Sequence, residues 1–312
     1  MKNQLPDNIK KDIKEIENDN TSGSVELAKK SAEIIINLVN QTGDLEQIKK
    51  ASLSLVEAQP NMASIFNLVN NLMFYIDKNK KQQLKKIVTN YCKNYLNNLE
   101  NFEKKIKDQA INLIKNRARI ITHSYSSTVL GTLLFLKESK KEISVICTES
   151  RPKNEGIKLA KELGKNKIKV KLLVDSAIFS LIPYADIILI GGDAITENGL
   201  INKIGTKGIA TVAQHYKTPI YALCSTEKLL PKKYPINLDH LKNPNEIIQY
   251  NISNVTAVNY YFDLTPLDFF TGFITEKEIL KPEEIKEIII NLKIHDNFSD
   301  LLSDEDLDIP LI

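Results

Sequence analysis

Residues 119–136, RIITHSYSSTVLGTLLFL, change character twice. They open on the β-branched Ile120, Ile121 and Thr122, cross a turn of His123, Ser124, Tyr125, Ser126 and Ser127, and close on an apolar run. A strand, a short polar turn and a helix in that order begin an α/β unit. In an open α/β sheet, ligands bind beyond the carboxyl ends of the strands. The turn is therefore a place for a nucleophile or a phosphate clamp. Its plainer reading is a helix cap, with Ser126 or Ser127 accepting from the first backbone amides of helix 127–139. His123 is a poor base for Ser124, because adjacent residues on an extended strand face opposite ways.

The same alternation continues downstream. Strands are expected at 119–122, 143–148, 168–174, 186–190, 219–224 and 255–262, and helices at 127–139, 154–163, 206–216 and 283–293. That order predicts a Rossmann-like α/β domain over 117–295, with a mainly parallel sheet covered by helices on both faces. Upstream the period is helical. Leu27, Ala28, Ser31, Ile34, Ile35, Leu38 and Val39 share one face. A second helix runs over 45–58, and a third carries Met62, Ile65, Phe66, Val69, Leu72 and Ile76. A long fourth helix has a single apolar stripe from Leu84 to Leu113, and is expected to bridge into the next domain. Residues 1–116 thus form an all-helical N-terminal domain.

The 312 residues carry a net charge of only +3, which by itself argues for no nucleic-acid partner. The balance is uneven: residues 1–120 hold 20 Lys and Arg against 14 Asp and Glu, and the remainder 22 against 25. The basic run KNKKQQLKK, 78–86, reads as a solvated helix face, or as a contact for RNA or an acidic partner. Cys92, Cys147 and Cys224 are scattered and odd in number, so neither a zinc pattern nor a disulfide framework is present. A reducing cytoplasm fits. The first twenty residues lack the apolar core of a signal peptide, and no apolar run is long enough to span a membrane. No G-x-G-x-x-G or Walker sequence occurs, and neither cofactor nor metal is expected. The acidic end, 295–312, reads as a mobile tail over 296–312, although Leu301, Leu302, Ile309, Leu311 and Ile312 leave docking open.

Only residues that follow a strand are candidates for chemistry. Arg151, one of three arginines, follows the second strand and is stiffened by Pro152. Its fork suits a phosphate, or it makes a structural ion pair. Asp193 follows Gly191 and Gly192 at the end of the fourth strand, and reads as a general base, a ligand for a sugar hydroxyl, or a cap. Thr206 and Gly208 open a helix whose N-terminal amides could hold an anion.

IITHSYSSTVLGTL, TESRPKNEGIKLAKELG, GGDAITENGLINKIGTKGIA and YFDLTPLDFFTGFITEKEIL together resemble the regulatory alpha/beta/delta subunit family of translation initiation factor 2B. That family shares its fold with ribose-1,5-bisphosphate isomerase and methylthioribose-1-phosphate isomerase. TSGSVELAKKSAEII resembles the N-terminal helix of archaeal members more weakly. The resemblance implies pairing between C-terminal domains as a homodimer or higher homo-oligomer, contacts with initiation factor 2 or related subunits, and a small phosphorylated ligand. It also implies site roles. Ser124 falls where the isomerases have their cysteine, and Asp193 where they have their aspartate. Ser22 and Gly23 fall at an Arg-Gly phosphate-binding pair. Arg151 matches the arginine of the T-x-x-R-P segment, and Asn202 and Lys203 the pair that closes the sugar-phosphate pocket; Ser126 and Ser127 are further candidates to bind the phosphate. A thiol titrates near pH 8.5, whereas a serine hydroxyl does not ionise near neutrality without a base. The expectation is a regulatory protein that is not an enzyme, with an aldose–ketose isomerase through Asp193 and Ser124 as the alternative.

Overall fold

The computed structural model describes residues 4–19, 22–236, 238 and 241–301. Helices come first: α1 (Asp7–Asn18), α2 (Ser24–Thr42), α3 (Leu45–Ala58), α4 (Ala63–Lys78) and the 30-residue α5 (Leu84–Leu113). Sequence spacing had indicated the last four. Helix α1 was missed because its apolar face is only Ile9, Ile13 and Ile16 among charges, yet all three are buried. These helices enclose one core, in which Leu27, Ile35, Leu38, Leu55, Phe66 and Val88 are fully covered.

The α/β part follows as β1 (Ala118–Thr122), α6 (Ser127–Glu138), β2 (Ile143–Thr148), α7 (Glu155–Lys165), β3 (Lys169–Leu173), β4 (Ile187–Ile190), β5 (Ala194–Thr196), β6 (Gly199–Lys203), α8 (Thr206–Tyr216), β7 (Ile220–Leu223), β8 (Phe262–Thr265), β9 (Gly272–Ile274), β10 (Ile279–Leu280) and α9 (Pro282–Ile290). Seven strands form one sheet in the order β10-β9-β7-β4-β1-β2-β3, parallel except for β10 at its edge. Alternate residues face opposite helical layers, as a two-residue period requires. Ile121, Ile188 and Ile190 pack with Ile209, Ala213 and Ile285 of α8 and α9. Ile120, Val145 and Leu189 pack with Val129, Leu133 and Leu159 of α6 and α7, and with Ile106 and Ala110 of α5. The strand order reverses between β1 and β4, so the crevice beyond their carboxyl ends is the fold's natural ligand site.

Three expectations need correction. The strand expected at 255–262 does not form; the strand there is Phe262–Thr265, and it joins a separate antiparallel sheet with β5 and β6. The segment 194–203, taken as a loop after the fourth strand, is the β5–β6 hairpin. Its residues are buried on both faces: Ala194 and Ile201 in the helical core, Ile195 and Leu200 in the α/β core. The acidic segment also begins differently from a mobile tail. Residues Asp296–Leu301 make a 3-10 turn, and Phe298 is buried against Phe66 with ring centroids 5.9 Å apart. Residues 302–312, with the apolar Leu302, Ile309, Leu311 and Ile312, lie outside the described residues. Among the described residues no helix is long and apolar enough to cross a membrane.

The helical and α/β parts also meet where Asn67 of α4 donates to the carbonyls of Glu227 and Leu229, both at 2.8 Å. Burial, reinforced by nearby Glu276, pushes the Glu227 carboxyl up to about 7. The folded chain therefore holds this proton more tightly than the unfolded chain, whose glutamates titrate near 4.3. The associated stability is present below that value and is lost as pH rises through about 7. Glu227→Gln should make the protein more stable than wild type above pH 7, by on the order of 1–3 kcal/mol, with the gap closing towards pH 4. Urea melts of both proteins at several pH values check this; a gap independent of pH would refute it.

Candidate functional site

Beyond the ends of β1 and β4 lies a cleft lined by Ser22, Gly23 and Ser24 of the helical part, the turn Ser124 to Ser127, Glu155, Gly192 and Asp193, Asn202 and Lys203, Lys228, and Tyr261. The fold thus brings together eight of the nine site residues expected from sequence: Ser22, Gly23, Ser124, Ser126, Ser127, Asp193, Asn202 and Lys203. Arg151 does not line the cleft. Its backbone amide donates to Asp175 at 2.8 Å, and its exposed guanidinium donates to the carbonyls of Glu246 at 3.2 Å and Ile247 at 3.4 Å. Here Arg151 ties two loops together.

The turn after β1 is held by a buried chain of hydroxyls. His123 is buried, with Nδ1 2.6 Å from the Thr148 hydroxyl and Nε2 2.8 Å from the Ile204 carbonyl. A carbonyl only accepts, so Nε2 carries the proton and Nδ1 accepts from Thr148. Burial pushes the His123 pKa down, which keeps it neutral. The Ser150 hydroxyl lies 3.0 Å from that of Thr148 and accepts from the Ser124 amide at 2.9 Å. This bond fixes Ser124 at φ 65°, in the left-handed region, and turns the chain into the cleft. Both ring nitrogens of His123 are committed, so it cannot serve Ser124 as a base. Ser126 caps α6, accepting from the Val129 amide at 3.3 Å, as the plainer reading of the turn held.

Helix α2 follows its N-cap Gly23, which has no side chain to cap it, and Ser22, Gly23 and Ser24 at this helix start line the cleft. The N-terminus of α8, by contrast, is taken. Asp263 Oδ2 accepts from the amides of Gly205 at 2.8 Å and Lys207 at 3.1 Å, so the anion suggested there is the protein's own carboxylate. Burial raises the Asp263 pKa to about 6 despite those donors.

The charged floor comes from the β5–β6 hairpin and its neighbours. Asp193 precedes the hairpin, is half-buried and lines the cleft. Burial pushes its pKa up, against the pull of Lys228 and a hydrogen bond from Ser24. Asn202 donates to Thr206 Oγ1 at 2.9 Å, and Lys203 pairs with Glu155 at 2.9 Å. The Lys203 ammonium also lies 4.9 Å from the Tyr261 ring centroid. The buried Lys228 ammonium donates to the Gly192 carbonyl. Sequence reading missed Glu155, Lys228 and Tyr261. Glu155 lies in the stretch after β2 that the position rule already covers, without having been singled out, and Lys228 lies a little further past β7 than the residues that rule picked. Tyr261 was hidden inside the misplaced strand. Among the described residues no group of His, Cys, Asp or Glu is placed to hold a metal.

The family model described as the initiation factor 2 subunit family matches residues 14–282. The chain belongs to that family. Its relatives within the initiation factor 2 subunit family carry two kinds of name. The ribose 1,5-bisphosphate isomerase of Archaeoglobus fulgidus is 30% identical over 272 residues, 84% of this chain and 86% of that one. A putative translation initiation factor eIF-2B subunit 2-like protein of Pyrococcus furiosus is 31% identical over 282 residues, 89% of this chain and 98% of its own. Among solved structures, the translation initiation factor eIF-2B of Pyrococcus horikoshii superposes with a TM-score of 0.78 at 29% identity, covering 90% of this chain and 99% of that chain.

At Gly191 the site leaves no room for a side chain. A Cβ on it would lie 2.6 Å from Ser126 Cβ, inside van der Waals contact. Gly191→Ala should displace the capping serine of α6 and cost on the order of 1–3 kcal/mol in urea unfolding. A loss below about 0.5 kcal/mol would mean that the turn yields freely.

Proposed function

We propose that this chain is a regulatory, non-catalytic member of its family. It acts in translation initiation through protein–protein contacts and binds a small phosphorylated ligand, a sugar phosphate or nucleoside monophosphate, in the cleft. One observation carries the non-catalytic part: no thiol lines the cleft. Its place is held by Ser124, while Cys92, Cys147 and Cys224 are buried elsewhere, each with its pKa pushed by burial to about 12. Aldose–ketose isomerisation moves a proton between neighbouring carbons and another between their oxygens, and needs groups that titrate near the working pH. Ser124 is not such a group, and His123 is spent on Thr148 and Ile204. Ligand binding is supported by the uncapped start of α2 and by Lys203 and Lys228.

The isomerase reading retains one observation in its favour. Asp193 is a carboxylate with a raised pKa in the same cleft as Ser124, and a relative of comparable identity is named for that reaction. A coupled assay with ribose 1,5-bisphosphate separates the two. Wild type should give no ribulose 1,5-bisphosphate, while calorimetry with sugar phosphates and nucleoside monophosphates gives heat. Turnover by wild type would establish the isomerase. Heat with none of the ligands would leave the cleft as scaffold.

For partners we propose self-association through the α/β part, with initiation factor 2 or related subunits as further contacts. The segment between β7 and β8 exposes Leu241, Ile247, Tyr250, Ile252, Val255 and Val258, and edge strand β3 carries exposed Leu172 and is followed by exposed Val174. Apolar residues so concentrated mark an interaction surface. Light scattering should give a mass of two or more copies, and the double variant Tyr250→Lys, Val255→Asp should give one. An unchanged mass would place the contact elsewhere.

A further inference from the structure

The cleft contains a carboxylate, Glu155, that binding of a phosphate would not by itself require. Glu155 is the first residue of α7, and its two oxygens differ. Oε1 pairs with Lys203 at 2.9 Å. Oε2 is shielded from bulk water and has no hydrogen-bond partner among the described residues. An ionised oxygen in that condition is costly, more so than a neutral acceptor. Its neighbours leave little freedom to relieve it. Lys203 is itself buried and confined between Glu155 and the face of Tyr261, whose hydroxyl donates to Glu246 at 2.6 Å. Asp193 adds a second negative charge that is felt across the cleft.

We infer that Glu155 selects the ligand by its end remote from the phosphate. It accepts a hydrogen bond from a hydroxyl or amine there and excludes a second phosphate. The side chains lining the cleft carry two ammonium groups, Lys203 and Lys228, and two carboxylates, Asp193 and Glu155. One ammonium is already matched by Glu155 and the other holds the Gly192 carbonyl. A phosphate therefore finds its donors at Ser22 to Ser24, where α2 starts, and in the turn before α6, with Lys203 already held by Glu155. A second phosphate brought to Lys203 would face the Glu155 carboxylate across a low-dielectric gap, where like charges repel strongly. A hydroxyl or amine at the same place supplies the donor that Oε2 lacks. The terminal torsion of a glutamate is soft, so the carboxylate can turn to share its two oxygens between Lys203 and such a donor while the backbone of α7 stays in place. The ligand is thus a phosphate monoester with a free donor at its other end, such as a pentose monophosphate.

This inference rests on the reading of the cleft as a phosphate-ligand site, and calorimetry on the full chain separates the two. The probes are inorganic phosphate, ribose 5-phosphate and ribose 1,5-bisphosphate, tested on wild type, Glu155→Gln and Glu155→Asp. Wild type should bind ribose 5-phosphate about tenfold or more tighter than either other probe. Glu155→Gln removes the repelling charge and frees Lys203, so the preference over the bisphosphate should narrow by about tenfold. Glu155→Asp keeps the charge but withdraws the oxygen, so it should weaken ribose 5-phosphate without improving the bisphosphate. A wild-type preference for the bisphosphate, or a preference unmoved in Glu155→Gln, overturns the inference while leaving a phosphate site in place. Silence with all three probes on folded wild type overturns the phosphate-site reading and this inference with it. Thermal melts of each variant show that the fold is kept.

Discussion

The β5–β6 hairpin is buried on both faces, and the architecture turns on that. Most hairpins show one face to water, but this one places Ala194 and Ile201 in the helical core, and Ile195 and Leu200 in the core of the sheet. Each large apolar side chain covered in this way contributes roughly 1.5–3 kcal/mol. Its residues could not be polar on either side without loss. The hairpin therefore acts as mortar between two layers that could each fold around a core of their own. It also places the site. Asp193 enters it and Asn202 and Lys203 leave it, so the functional side chains project from the ends of a segment whose middle is immobilised by packing.

Around that segment the charges are arranged so that few are buried alone. Lys203 is paired with Glu155, Lys228 with a carbonyl dipole, and Asp263 with two helix amides. An unpaired buried ion costs several kcal/mol, so such pairing is a condition for placing ions there at all. His123 meets the same demand by staying neutral and using both nitrogens. The loops after β1 and β2 are knitted by Thr148, Ser150 and Asp175 rather than by apolar contacts. The crevice wall is thus rigid without being greasy, which suits a polar ligand.

The fold was legible where periodicity was clean. Helices α2 to α5 and strands β1 to β4 and β7 follow from their spacing, because each has one face or one run that differs from its neighbours. The hairpin was not legible for the reason that makes it important. With both faces covered, AIT and GLINK lose the polar alternation that marks a strand, and only the two-residue turn Glu197-Asn198 hinted at it. The strand expected at 255–262 failed for the opposite reason. Its β-branched residues Val255 and Val258 are exposed on an irregular segment, where propensity has no partner strand to act on. Residues of the cleft near strand ends were predictable by position. The orientation of Arg151 was not, since a loop more than ninety residues away supplies its acceptors.

Helix α5 has a consequence for motion. Its first half, through Cys92, Tyr95 and Leu99, is seated in the helical core, and its second, through Ile106 and Ala110, under the sheet. At about 1.5 Å per residue it is a strut of roughly 45 Å without a proline or glycine to bend it. A conventional hinge between the two parts is absent along this helix. A displacement at one end is carried to the other as a tilt. Because the cleft is lined from both parts, any such tilt would alter its width.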